Sequence, residues 1–165
     1  MTKNPLSFFR QNDKKQKKSL YDSSLAIPPP FRYTVYRWKK QVINQELINK
    51  VGKDIKIIFT PIHGTGNLPI RRVLSEVGFK NVSVVKEQEM PDSNFSTVAY
   101  PNPEEKEVFD IAIEMAKTDG ADIIIGTDPD CDRVGVVVKN NEGEYVVLNG
   151  NQVGSLLVDY VISNK

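Results

Sequence analysis

Three aspartates stand at alternate positions in GTDPDCDRVG: Asp128, Asp130 and Asp132, with Arg133 directly behind them. An apolar run, Ala121 to Gly126, leads into them. Carboxylates spaced in this way, where a buried strand empties into a loop, can converge on one hard cation and would repel one another without it. Mg2+ suits such a set because it needs a few anionic oxygens and keeps water elsewhere. Asp128, Asp130 and Asp132 are thus candidate metal ligands. Arg133 can grip a phosphoryl oxygen through its planar fork, or it can simply neutralise the aspartates beside it. Cys131 lies between two of the ligands, but a hard oxygen site has no use for its sulfur, so it is expected only to fill space.

Other aspartate chemistries meet the same letters. An EF-hand loop needs Gly at its sixth position and Glu at its twelfth, where this chain has Arg133 and Lys139. A phosphatase of the haloacid-dehalogenase type places a nucleophilic aspartate at a strand end in D-x-D-x-(T/V), and Asp130 to Val134 fits those letters. The apolar run nevertheless stops at Gly126, with Thr127 to Pro129 in between. A D-x-D metal pair of a sugar-nucleotide transferase can use Asp128 and Asp130, although nothing else resembles a nucleotide pocket. A solvated acidic turn is the plain structural alternative.

His63, the sole histidine, sits in TPIHGTG. Gly64 and Gly66 there would let backbone amides approach a phosphate or a neighbouring loop. Position 69 is proline, which removes the third glycine of a dinucleotide fingerprint. His63 can therefore be read as a phosphate or substrate contact, or as a histidine hydrogen-bonded to fix its own loop.

Elements must exist to place these loops. The segment Tyr36 to Lys50 suggests a helix, with Trp38, Val42, Ile43, Leu47 and Ile48 close to a helical spacing. Ile55 to Thr60 reads as a strand, then Asn67 as the cap of a helix with Leu68, Val73, Leu74 and Val77 inward, stopped by Gly78. Val82 to Val85 is a second strand, followed by a long irregular stretch, Glu87 to Pro103. Glu104 to Lys117 predicts a helix with Phe109, Ile113 and Ala116 inward, and Ala121 to Gly126 a third strand. Val134 to Lys139 and Tyr145 to Leu148 form a hairpin, and Asn151 to Ile162 an amphipathic helix. The order implies an α/β domain, a three-layer α/β/α sandwich with a mostly parallel mixed sheet. Ligands in such sheets gather beyond the carboxyl ends of the strands, where both the HGTGN and DPDCDR loops begin.

The 165 residues suffice for one core-bearing domain, and no apolar run approaches the roughly 20 residues of a membrane span. No secretory signal is apparent, and a single cysteine precludes an internal disulfide, so a cytoplasmic location is expected. The net charge of +1 conceals an asymmetry: residues 1–40 carry ten bases and two acids, including KKQKK at 14–18. Residues 1–34 are expected to be a basic, disordered leader and residues 35–165 the folded domain. Neither membrane association nor nucleic-acid binding is expected of the arm, since most short basic arms are solvated tails.

Three stretches together carry a resemblance: FTPIHGTGNLPIRRVLSEVGF, VVKEQEMPDSNFSTVAYPNPEE and ADIIIGTDPDCDRVGVVVKNNEGEYVVLNGNQVGSLL. In this order and spacing, from about Tyr36 to Val161, the chain resembles the second α/β/α domain of the α-D-phosphohexomutases, bacterial phosphoglucomutases in particular. The resemblance implies intramolecular phosphoryl transfer between glucose 1-phosphate and glucose 6-phosphate, or mannose phosphates in close relatives. It implies Mg2+ held by Asp128, Asp130 and Asp132, with Arg133 touching the phosphoryl group and a hexose phosphate as substrate.

That family has a phosphoserine loop of the TASHNP type in its first domain, a sugar-reading loop in its third and a phosphate-binding loop in its fourth. None of those strings occurs here. The expectation is one domain of a mutase, without a catalytic serine of its own and silent in isolation, whose partners are the missing mutase domains. The alternatives are a stand-alone module binding Mg2+ or sugar phosphate, and a gene fragment without function.

Overall fold

The computed structural model describes residues 44–164. The expected leader, residues 1–34, and the first part of the expected helix, up to residue 43, lie outside the described residues. What is described is a five-stranded sheet in the order β2-β1-β3-β4-β5 with four α-helices. The elements are α1 (Gln45–Val51), β1 (Lys56–Thr60), α2 (Asn67–Val77), β2 (Asn81–Val84), α3 (Asp110–Asp119), β3 (Ile123–Thr127), β4 (Val134–Lys139), β5 (Tyr145–Leu148) and α4 (Gly150–Ser163). Short 3-10 turns at Lys86–Gln88 and Lys106–Phe109 flank the long irregular segment.

β1 pairs in parallel with both β2 and β3, while β4 runs antiparallel to β3 and to β5. One strand of the five therefore opposes the rest, as expected of a mostly parallel mixed sheet. Because β2 and β3 lie on opposite sides of β1, right-handed crossovers put α2 and α3 on opposite faces. Register explains the core on one of them. Ile58, Ile124 and Val137 are aligned across three strands, and all are buried under Ala112, Ile113 and Ala116 of α3. Alternation along β1 turns Ile57 and Phe59 to the other face, where they are also buried, beside Val84 of β2. A strand covered on both faces reads as the continuous apolar run seen at IIFT.

Local chemistry sets the boundaries. Gly120, at φ 67°, ends α3 in a left-handed turn that lets both its own N–H and that of Ala121 donate to the Ala116 carbonyl. Tyr145 reaches the same place, its hydroxyl standing 2.9 Å from Ala116 O and 2.7 Å from Ala121 O. Asn149 and Gln152 form a reciprocal capping box at the start of α4.

Several sequence expectations need correction. Asn67 does not cap α2 with its side chain, which instead donates to the Glu89 carbonyl at 2.8 Å; Gly66 occupies the cap position. Leu68 and Leu47 face solvent, because helical spacing names a face without saying whether a neighbour covers it. α4 likewise buries only Val153 and leaves Leu156, Leu157 and Ile162 exposed. No described helix is long and apolar enough to cross a membrane.

Candidate metal and phosphate site

β1 and β3 are parallel neighbours with Thr60 level with Gly126, so the loops that follow them leave one rim side by side. The chain departs from β1 toward β2 and from β3 toward β4, in opposite directions across the sheet. This is the switch point at which α/β sheets open a crevice beyond their carboxyl ends. Both loops singled out from sequence lie there.

The aspartate loop is wound tightly. Asp128 Oδ1 accepts the Arg133 N–H at 2.9 Å, and the Asp128 carbonyl accepts that of Cys131 at 3.0 Å. Cys131 sits at φ 66°, a left-handed conformation, and so does more than fill space: its backbone makes the turn. One oxygen from each of Asp128, Asp130 and Asp132 lies within 4.8 Å of the other two. Asp128 is buried, and the other two are exposed.

Charge crowding appears in their protonation. Burial works against the Asp128 carboxylate, yet the Arg133 N–H, hydrogen bonds with Asp132 and Asp130, and the Arg133 charge outweigh it and hold its pKa below the ordinary value. Asp132 is pushed the other way, above its ordinary value, first by its side-chain hydrogen bond with Asp128 and then by the negative charges of Asp130 and Asp128. Arg133 offsets part of this repulsion, its Nε standing 3.6 Å from Asp128 Oδ2 and 3.8 Å from Asp132 Oδ1. Its side chain is 54% exposed, so the guanidinium is open to a ligand as well.

The first loop buttresses this one. Thr65 donates its N–H to the Pro129 carbonyl at 2.9 Å and its hydroxyl to the same oxygen at 3.2 Å. Gly64 lies so close to the Pro129 backbone that any Cβ there would collide with it. A Cβ on Gly66 would meet Thr127 Oγ1 at 2.5 Å and Cys131 Sγ at 2.9 Å. The loop glycines therefore serve close approach to a neighbouring loop. Among the described residues, Thr127 Oγ1 is the one buried side-chain oxygen or nitrogen lacking a hydrogen-bond partner.

His63 is 7% exposed, and both its ring nitrogens are occupied by the protein. Nδ1 lies 2.8 Å from the Met90 carbonyl and must donate, since a carbonyl only accepts; Nε2 lies 2.8 Å from Thr97 Oγ1. Gln88, fully buried, accepts from the Thr60 hydroxyl at 2.6 Å and donates to Thr97 Oγ1 and the Val108 carbonyl, each at 3.3 Å. Ile62 at φ 45° and His63 at φ 59° hold left-handed backbone, the costlier for β-branched Ile62.

The long segment after β2 closes the other side. Asn102 Oδ1 accepts the Glu104 N–H at 3.2 Å and faces the Arg133 guanidinium at 3.4 Å. Pro103, fully buried, lies across Gly135, where no Cβ would fit. Sequence reasoning did not find Thr97, Gln88 or Asn102. Only the length of the structureless segment signalled that it had a task.

The fold and these loops match known proteins. Residues 35–143 match the family model for phosphoglucomutase/phosphomannomutase, alpha/beta/alpha domain II. The chain belongs to the phosphoglucomutase/phosphomannomutase family. Phosphoglucomutases of Staphylococcus epidermidis and Staphylococcus aureus (strain USA300) are 44% and 40% identical to it over 119 residues, which make up 72% of this chain. The alignments span 22% of the length of those relatives. Two solved structures share the fold. A Thermus thermophilus protein assigned as a phosphomannomutase aligns at TM-score 0.61 and 23% identity, over 81% of this chain and 29% of its own. A family protein of Burkholderia thailandensis aligns at 0.53 and 21%, over 76% and 26%.

The donor set of this phosphoglucomutase/phosphomannomutase domain fits a hard divalent cation. It offers carboxylate oxygens alone, while the Cys131 sulfur packs toward Gly66. The Asp132 pKa is raised first by the hydrogen bond with Asp128, and the negative charges of Asp130 and Asp128 add a repulsion that a cation would relieve.

Proposed function

We propose that this chain is the metal-binding part of a phosphoglucomutase, serving phosphoryl transfer between the 1- and 6-positions of a hexose phosphate. The observation that carries this reading is the convergence of three carboxylate oxygens within 4.8 Å beside an exposed arginine. Asp128, Asp130 and Asp132 would hold Mg2+, which when bound supplies positive charge against the phosphoryl oxygens. Arg133 contributes a guanidinium, near Asp128 and Asn102, whose fork matches two phosphoryl oxygens. The buttressed loops keep these groups in place, and in phosphoryl transfer positioning and charge stabilisation account for most of the catalysis. The phosphorylated serine and the sugar pocket would come from the rest of a longer protein, and the 165 residues by themselves would not turn over glucose 1-phosphate.

Titration calorimetry tests the reading. Saturable Mg2+ binding that disappears in Asp130→Asn supports it, and no heat from the parent chain at millimolar Mg2+ would sink it. Turnover of glucose 1-phosphate by the chain alone, above a metal-free control, would refute its silence.

A further inference from the structure

His63 lies at the centre of the walls that flank the aspartate loop. Its ring holds the long segment at Met90 and Thr97, each 2.8 Å away, and the next two residues hold the other side, Gly64 by close packing and Thr65 by two hydrogen bonds to Pro129. The long segment then ends at Asn102, facing the Arg133 guanidinium, and at Pro103, seated on Gly135. Arg133 is in turn bonded through its N–H to the Asp128 carboxylate.

We propose that His63 is a positioning residue which, by clasping Thr97 and Met90, fixes the segment that braces Arg133 and thereby the geometry of the three aspartates. The clasp is a directed chain. Gln88 donates to the Thr97 oxygen, leaving the Thr97 hydroxyl proton for His63 Nε2, and His63 Nδ1–H goes to Met90. A side chain lacking either nitrogen breaks it at a partly buried point and leaves its partner short of one hydrogen bond. The left-handed backbone at His63, φ 59°, fits this assignment: it turns the ring toward the long segment while Gly64 and Thr65 run on to Pro129. The consequence for metal affinity rests on the reading of the aspartates as Mg2+ ligands, whereas the bracing of Arg133 does not.

Amide hydrogen exchange on the metal-free 165-residue chain separates the two. His63→Asn keeps a residue that tolerates left-handed backbone but is too short to reach Thr97, and Thr97→Val removes the hydroxyl at nearly constant volume. In both, the Arg133 and Thr65 amides should exchange about tenfold faster, the loss of one partly buried hydrogen bond, with Ile58 and Ile124 unchanged. Thr97→Ser should restore parent protection. Unaltered Arg133 protection in His63→Asn would overturn the proposal, as would Ile124 losing protection in step with it, since that marks a purely structural role. Mg2+ should also bind several-fold more weakly to His63→Asn than to the parent. A parent chain that takes up no Mg2+, with Arg133 still responding, would refute the metal reading and leave the clasp standing.

Discussion

Thr65 donates twice to Pro129, through its N–H at 2.9 Å and its hydroxyl at 3.2 Å, and so ties the loop after β1 to the residue between the first two aspartates. The contact is close because Gly64 has no side chain to prevent it. Gly64→Ala should force the loops apart and destabilise the chain by about 1 to 3 kcal/mol, the usual cost of overpacking a tight contact. Urea denaturation followed by circular dichroism measures it. An unchanged midpoint would show that the two loops are not pressed together in solution.

The backbone at Cys131, φ 66°, is the turn that sets Asp130 and Asp132 beside Asp128. Cys131→Gly relieves left-handed strain but adds freedom to the unfolded chain, so its stability should stay within about 1 kcal/mol of the parent. Cys131→Val puts a β-branched side chain in the same conformation and should be less stable than the glycine variant by roughly 1 to 2 kcal/mol. Equal thermal midpoints for the two variants would contradict a left-handed turn at this position.

Asp92 accepts the N–H groups of Ser96 and Asn94, each at 2.9 Å. The Ser96 amide first, then the Ser96 hydroxyl and the Asn94 amide, hold its pKa down at about 2. Since the folded value lies below the ordinary one near 3.9, this turn stabilises the segment fully above that pH and loses its contribution as pH falls toward about 2. NMR titration of the Asp92 carboxyl should show a midpoint near the lower value, with the Ser96 amide shifting in step. A midpoint near the ordinary carboxylate value would mean that the turn does not persist.

Tyr145 places its hydroxyl between the Ala116 and Ala121 carbonyls, joining the end of α3 to the hairpin. Tyr145→Phe keeps the ring and leaves the carbonyls without that donor, so it should cost about 1 to 2 kcal/mol. Its effect should be confined to stability, with Mg2+ affinity unchanged, because the site lies at the opposite ends of the strands. A several-fold loss of Mg2+ affinity at unchanged stability would contradict that separation.

Much of the fold was legible because its signals are local. Gly78 and Gly120 do end helices, and the hairpin strands Val134–Lys139 and Tyr145–Leu148 fall where alternation and turn residues put them. Errors arose where a local pattern depends on a distant partner. Asn67 has the chemistry of a cap, but the Glu89 carbonyl 22 residues away takes its amide. Leu68 and Leu47 match helical spacing, yet each is left about half exposed, at 52% and 51%.

The candidate site divides in the same way. Sequence alone determined which groups are available: three aspartates at alternate positions, an arginine behind them and glycines in the neighbouring loop, all after apolar runs. Those features follow from covalent spacing and strand period, which a chain carries wherever it goes. Tertiary structure decided what they do to one another. Only the pairing of β1 with β3 sets Thr65 on Pro129, and only the return of a segment more than thirty residues downstream gives His63 its partner in Thr97. Hydrogen bonds fall off within fractions of an ångström, so a partner far along the chain has no signature in local sequence until folding brings it within reach.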